Sequence, residues 1–193
     1  MTRVGLARLL QLGVLLSVTG AAFADALSVE HLQRLLQEAP HADVRFTEMR
    51  ESRWLGAPIE SSGTMRSNAM MLEKRVERPR PETWRILSDR MQVTTPGSDG
   101  VKEVMLDQAP AAAALANALR RVMAGHLEAL NEDFQLELSG DEREWSLQLT
   151  PRHPDVARQL KQITLQGAGR RLAVIVIQES RGDRTTTHLD YPE

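Results

Sequence analysis

The chain has 193 residues, with 24 basic and 26 acidic side chains and no cysteine. The missing thiols exclude disulfides, thiolate nucleophiles and cysteine-ligated metal sites. A net charge of −2 argues against bulk nucleic-acid binding, which needs a positive field to displace counterions.

Residues 1–24 read as a targeting segment. Arg3 and Arg8 precede a short apolar run from Leu9 to Val18, and Ala22-Phe23-Ala24 is a small-x-small cleavage site. The run falls short of the roughly 20 apolar residues that a membrane span needs. A cleaved signal peptide is therefore expected, with residues 25–193 as a single domain beginning at Asp25. No cysteine follows the cleavage site to take a lipid. Removing the two arginines leaves 22 basic against 26 acidic residues and a net charge near −4. A chain without cysteine suits an oxidising compartment.

Leu27 to Ala39 predicts an amphipathic helix, capped by Ser28, with Leu32, Leu35 and Leu36 on one stripe and Pro40 as its stop. From Ala42 the period changes to two. Strands are expected from Ala42 to Trp54, Ile59 to Ser67, Met70 to Glu77, Thr83 to Leu87, Arg90 to Thr95 and Val101 to Leu106, separated by turn residues. Pro110 to Gly125 breaks the pattern as a strong helix, with Leu115, Leu119, Val122 and Met123 on a shared face and Leu127 to Leu130 as a possible continuation. Strands then resume at Phe134 to Ser139, Trp145 to Leu149, Gln162 to Gln166, Leu172 to Gln178 and Thr185 to Leu189, with a helical turn at Val156 to Leu160. This makes an α+β protein of about eleven antiparallel strands. A sheet so wide curls, and two amphipathic helices have a place against its concave apolar face. Periodicity leaves two versions open: a packed core, or a gap between helices and sheet that holds a ligand.

Catalytic patterns are thin. His31, His41, His126, His153 and His188 form no HxH or HExxH spacing, and neither GxSxG nor a glycine-rich phosphate loop occurs. No metal site and no cofactor are expected. Lys74, Arg75, Arg78 and Arg80, interleaved with Glu73, Glu77 and Glu82, read as a solvated strand face that could also meet acidic partners or lipid headgroups. Met65, Met70, Met71, Met91, Met105 and Met123 supply adaptable apolar side chains, suited either to filling a core poor in aromatics or to a promiscuous hydrophobic surface.

The order of elements resembles the LolA family of periplasmic lipoprotein carriers, and in particular its relatives found with aryl-polyene and acyl-lipid biosynthesis genes. The matching stretches are Phe46-Thr47-Glu48, Gly63-Thr64-Met65, Leu72-Glu73-Lys74, the alanine-rich helix from Pro110, Trp145 through Leu149-Thr150-Pro151, and Gly182-Asp183-Arg184-Thr185. The resemblance implies a curved, unclosed eleven-stranded half-barrel with helices as a lid over an apolar cavity for acyl chains. It implies no catalytic residue and no cofactor, an inner-membrane ABC-type transporter as donor and an outer-membrane acceptor. One departure stands out. Where the lipoprotein carrier has an Arg-Pro pair that holds its lid, this chain has Ala69-Met70; that favours a carrier for another lipid.

The expected function is thus a monomeric periplasmic carrier or chaperone for lipoproteins or related lipids, with no nucleic-acid partner. Alternation places Met65, Trp84, Met91 and Val93 of the first sheet half on the lipid-binding surface. Trp145, Leu147, Leu165 and Val174 follow from the second half, and Leu115, Leu119 and Val122 from the lid. A periplasmic hydrolase or isomerase for a hydrophobic substrate is the alternative, signalled by a polar cluster converging in the cavity. A fully packed interior would instead mark a structural adaptor.

Overall fold

The computed structural model describes residues 27–39, 43–68, 71–97 and 100–192. The expected signal segment and the Ala69-Met70 position lie outside the described residues. Helix α1 (Val29–Gln37) is capped by Ser28, whose Oγ accepts the His31 amide at 3.2 Å. A meander of six strands follows: β1 (Val44–Glu51), β2 (Ile59–Ser67), β3 (Leu72–Arg78), β4 (Glu82–Ile86), β5 (Arg90–Thr94) and β6 (Val101–Met105). Helix α2 (Pro110–Met123) then crosses to a second meander, β7 (Phe134–Gly140), β8 (Trp145–Pro151), β9 (Leu160–Ala168), β10 (Arg171–Glu179) and β11 (Arg184–Asp190). A short helix α3 (Pro154–Ala157) joins β8 to β9. The continuation of α2 past Gly125 is a separate 3-10 turn, Glu128–Glu132, because Gly125 at φ +69° ends the helix.

The eleven strands make one sheet in the order β6-β5-β4-β3-β2-β1-β11-β10-β9-β8-β7, with every neighbour antiparallel. The first and last strands meet in the middle through seven register pairs, from Arg45↔Asp190 to Glu51↔Arg184. Strands β6 and β7 remain as the two edges, so the sheet is open, as the family resemblance implied.

Alternation fixes two faces. The inner face carries Phe46 and Leu189, Met65, Leu72, Ile86 and Met91, then Ile175, Leu165, Leu147 and Leu149. It is most densely filled over β7–β9, where Phe134, Leu147, Leu149 and Ile163 are fully buried. Trp145 lies flat against Gly167: a Cβ there would come within 2.3 Å of the indole ring and 2.2 Å of the Arg171 carbonyl. The indole Nε1 donates to the Gly169 carbonyl at 3.1 Å. Leu32 and Leu36 of α1 join this core, while α1 itself packs on the 3-10 turn after α2.

The outer face of the first meander is a cross-strand ladder of opposite charges. Glu73 is only 4 % exposed although it lies on that side. It accepts from Arg85 Nε at 2.9 Å, Arg66 Nη2 at 3.0 Å and Arg75 Nη2 at 3.3 Å, and Arg66 also approaches Asp43 at 3.6 Å. The Arg85 guanidinium, with Arg66 beside it, holds the Glu73 carboxyl below the usual glutamate range against the opposing effect of burial. A carboxyl with a lowered folded pKa stabilises above the unfolded value of about 4.3. That stabilisation is lost as pH falls through the lower folded value. Glu73→Gln is expected to lower unfolding free energy by about 1–2 kcal/mol at neutral pH. In urea titrations at a series of pH values, the gap to the wild type should close only below about pH 4.

Candidate functional site

Between α2 and the middle of the sheet lies a cavity of about 320 Å³. Helix α2 forms its roof with Ala112, Leu115, Ala116 and Leu119. The first meander supplies Met65, Leu72, Trp84, Ile86 and Met91, and β10 supplies Ile175 and Ile177. The gap arises where α2 presents alanine to the sheet. Ala112 and Ala116 add only methyl groups to the roof, and Ala116 is buried in the core along with Ala118 and Val122.

Five of the expected surface residues line this cavity: Met65, Trp84, Met91, Leu115 and Leu119. Val93 pairs with Trp84 on the same face but lies outside the lining. Val122, Trp145, Leu147 and Leu165 face inward and are consumed by the packed core. Val174 is on the other face. A register shift between Leu172 and Val174 places Ala173 and Val174 together between inward Leu172 and inward Ile175. This bulge reverses the alternation that pointed Val174 inward. Of the two covering helices, α2 lines the cavity among the described residues, while α1 buries Leu32 and Leu36 in the core.

The floor of the cavity is polar. Lys74 Nζ lies 2.7 Å from both carboxylate oxygens of Glu48. Thr187 Oγ1, directly across the β1–β11 seam, donates to Glu48 Oε2 at 2.8 Å. The same Lys74 ammonium sits 4.8 Å from the centre of the Phe46 ring. Toward the β1–β2 end, Arg50 lines the cavity with Thr185 and lies 3.8 Å from Asp183 and 3.9 Å from Glu179. Sequence reasoning placed Lys74 on a solvated face. The signal available was register: Lys74 is two residues from Leu72 and from Val76, both inward. Among the described residues no cluster of three or more histidine, aspartate or glutamate side chains is placed to hold a metal ion. No described helix is long and apolar enough to cross a membrane.

An unclosed antiparallel half-barrel with a helix over its inner face and a chamber between them is the class of protein that this geometry defines. The chain belongs to the LolA-like family of outer membrane lipoprotein carrier proteins, whose family model matches residues 21–191. Solved structures with similar chains include a LolA superfamily protein from Nitrosomonas europaea, at 12% identity and a TM-score of 0.45, covering 86% of this chain and 93% of that one. Another is a domain described as outer membrane lipoprotein-sorting from Vibrio parahaemolyticus, at 9% identity and a TM-score of 0.38, covering 84% and 89%. A DUF1329 family protein from Desulfovibrio piger is similar at 10% identity and a TM-score of 0.38, covering 84% and 90%. No curated protein matches the sequence.

Removing one partner of the floor pair strands the other charge under the helix. Lys74→Met is expected to cost about 1–3 kcal/mol of stability, because Glu48 would keep only the Thr187 hydroxyl. The double variant Lys74→Met/Glu48→Gln should recover part of that loss. Denaturant unfolding of both single variants and the double, analysed as a cycle, measures the coupling.

Proposed function

We propose that this protein is a periplasmic carrier or chaperone that holds an acyl chain of a lipoprotein or a related lipid beneath α2 for transfer toward the outer membrane. The observation that carries the proposal is the chamber itself: about 320 Å³, walled by methionine, leucine, isoleucine and tryptophan and roofed by one helix. That volume is at the lower end for sites that enclose small molecules, so a longer chain must lift the roof. The helix is buried along its length, at Ala114 and Ala116 as well as at Ala118 and Val122, but its ends are held differently. Its C-terminal half is tied by Arg121, which bonds Asp133 at 3.2 Å. Its N-terminal half, over the chamber, starts at Ala109 and Pro110 without a capping side chain. Each methylene that leaves water contributes about 0.8 kcal/mol, so a few carbons offset the loss of contacts when the roof moves.

The role calls for a signal peptide cleaved before Asp25. It also calls for a donor, an ABC-type transporter of the inner membrane, an acceptor at the outer membrane, and a monomeric carrier between them. A hydrolase or isomerase would have to enlist Glu48, but both its oxygens face Lys74 and one also takes Thr187. That mutual engagement supports an ion-paired floor over a free catalytic base.

Protein secreted by a bacterial host and purified from the periplasmic extract is expected to take up a fluorescent fatty-acyl probe and return it chemically unchanged. Leu119→Glu should abolish uptake while leaving the circular dichroism spectrum intact; equal binding by the two forms would count against the chamber, and a cleaved probe would favour the hydrolase. The intact mass of the same material should correspond to a chain beginning at Asp25. A mass that retains residues 1–24 would overturn the cleavage.

A further inference from the structure

We propose that the chamber opens sideways at the β5–β6 edge of the sheet, and that an acyl cargo runs out there across Val93 and Val104 with its polar end in water. The inference rests on the carrier reading and adds the direction in which the chain lies. Cross-strand register sets that direction. One inward row runs Leu72, Ile86, Met91, Val104 through β3, β4, β5 and β6. Its first three members line the chamber. Burial falls along the row: Leu72 and Ile86 are buried, Met91 is half-buried and Val104 is 38 % exposed. A second row runs Lys74, Trp84, Val93, Lys102, and it leaves the lining after Trp84. The position of the roof is the reason. Among the strands, α2 passes nearest to β3, whereas the sheet continues for three more strands, roughly 14 Å at the usual spacing. The inner side of β6 is therefore bare, with both Lys102 and Val104 exposed.

The opposite side is shut. From Thr187 the inward row passes through Ile175 to Leu165 and Leu147, all buried in the packed half of the sheet. An alkyl chain in the chamber has no way toward β9 that leaves that core intact. At the barrel end the lining finishes on Arg50 and Thr185, and polar groups gain nothing from being covered by hydrocarbon. Toward β6 the chain meets Met91, Val93 and Val104 instead. A single exposed valine is ordinary on a protein surface. Val104 differs because it continues, one strand further on, a row whose other members wall the chamber. Strand β6 is the edge of the sheet, so a chain that crosses it reaches water. Lifting α2 admits the cargo, and the open wall takes the length that the roof does not cover. Each methylene fully removed from water strengthens binding about fourfold, and one laid on an open wall by part of that. Affinity should therefore keep rising with chain length after the roofed space is filled, with the added carbons on Val93 and Val104.

The test exploits a chain without cysteine. Protein purified from periplasmic extract carries Val104→Cys or, as the control, Val101→Cys, each labelled with a small environment-sensitive fluorophore. Val101 is 55 % exposed on the outer face of the same strand. Octadecanoate should shift the emission of the label at position 104 and leave the label at 101 unchanged; decanoate should bind and move neither. In the unlabelled protein, Val104→Asp should weaken octadecanoate binding about tenfold and decanoate binding less than twofold. Val101→Asp should affect neither. Both valines are exposed, so the circular dichroism spectra should match wild type. A label at 104 that stays silent while octadecanoate binds would overturn the proposal and leave the chamber standing, as would equal weakening of both acids by Val104→Asp. Signals at both positions that follow protein concentration and not the acid would also overturn it, by making β6 a pairing edge between copies. If neither acid binds, the chamber itself fails and this inference fails with it.

Discussion

The structure depends on the pairing of its first strand with its last. Each meander closes its own ladders locally, but neither half can bury its inner face alone, and only the seven pairs of β1 with β11 make them one sheet. Those pairs are distant in sequence, so their formation bears the entropy of closing nearly the whole chain. In return, several side chains that could not otherwise meet are placed together. Glu48 faces Thr187 across the seam, Arg50 comes near Asp183, and Ser52 reaches the same carboxylate beyond the strand ends. The polar floor of the cavity and the brace of the Trp54 turn are both products of that single register.

The seam also explains why the interior is filled on one side and hollow on the other. Over β7–β9 the inward positions are Trp145, Leu147, Leu149, Ile163 and Leu165, all buried, and the indole closes on the bare backbone of Gly167. At the seam the inward positions become Glu48, Thr187 and Thr185, with Lys74 reaching in from β3. Charged and hydroxyl-bearing side chains cannot interdigitate with an apolar helix face without losing their own partners. They settle into mutual hydrogen bonds along the sheet, and α2 stands off above them on its alanines. The hollow is therefore a consequence of polar residues at a junction, framed by methionine, leucine and isoleucine on either side.

Much of this was legible in the residues. Period-two alternation and turn residues located all eleven strands, β2 to the residue, and propensity located both principal helices. What alternation cannot carry is depth. Trp145, Leu147 and Leu165 were assigned to the correct face, yet nothing in a strand's own sequence says whether the opposing helix will touch it. Val174 was lost to a bulge, where one extra residue, Ala173, exchanges the faces without leaving a glycine or proline to mark it. Lys74 was lost for the opposite reason. A charged residue in an alternating strand reads as solvated, and its inward position is tolerable only because its partner arrives from another strand.

The same logic distinguishes the two kinds of apolar surface that the molecule keeps. Those of the chamber are sheltered by a helix that starts at Pro110 without a capping side chain. Trp54 is different: four hydrogen bonds brace the backbone of its turn, and the indole stands 84 % exposed. Both lie along the β1–β11 seam: Arg50 lines the chamber and lies 3.8 Å from Asp183, the carboxylate that accepts from Ser52 in that turn.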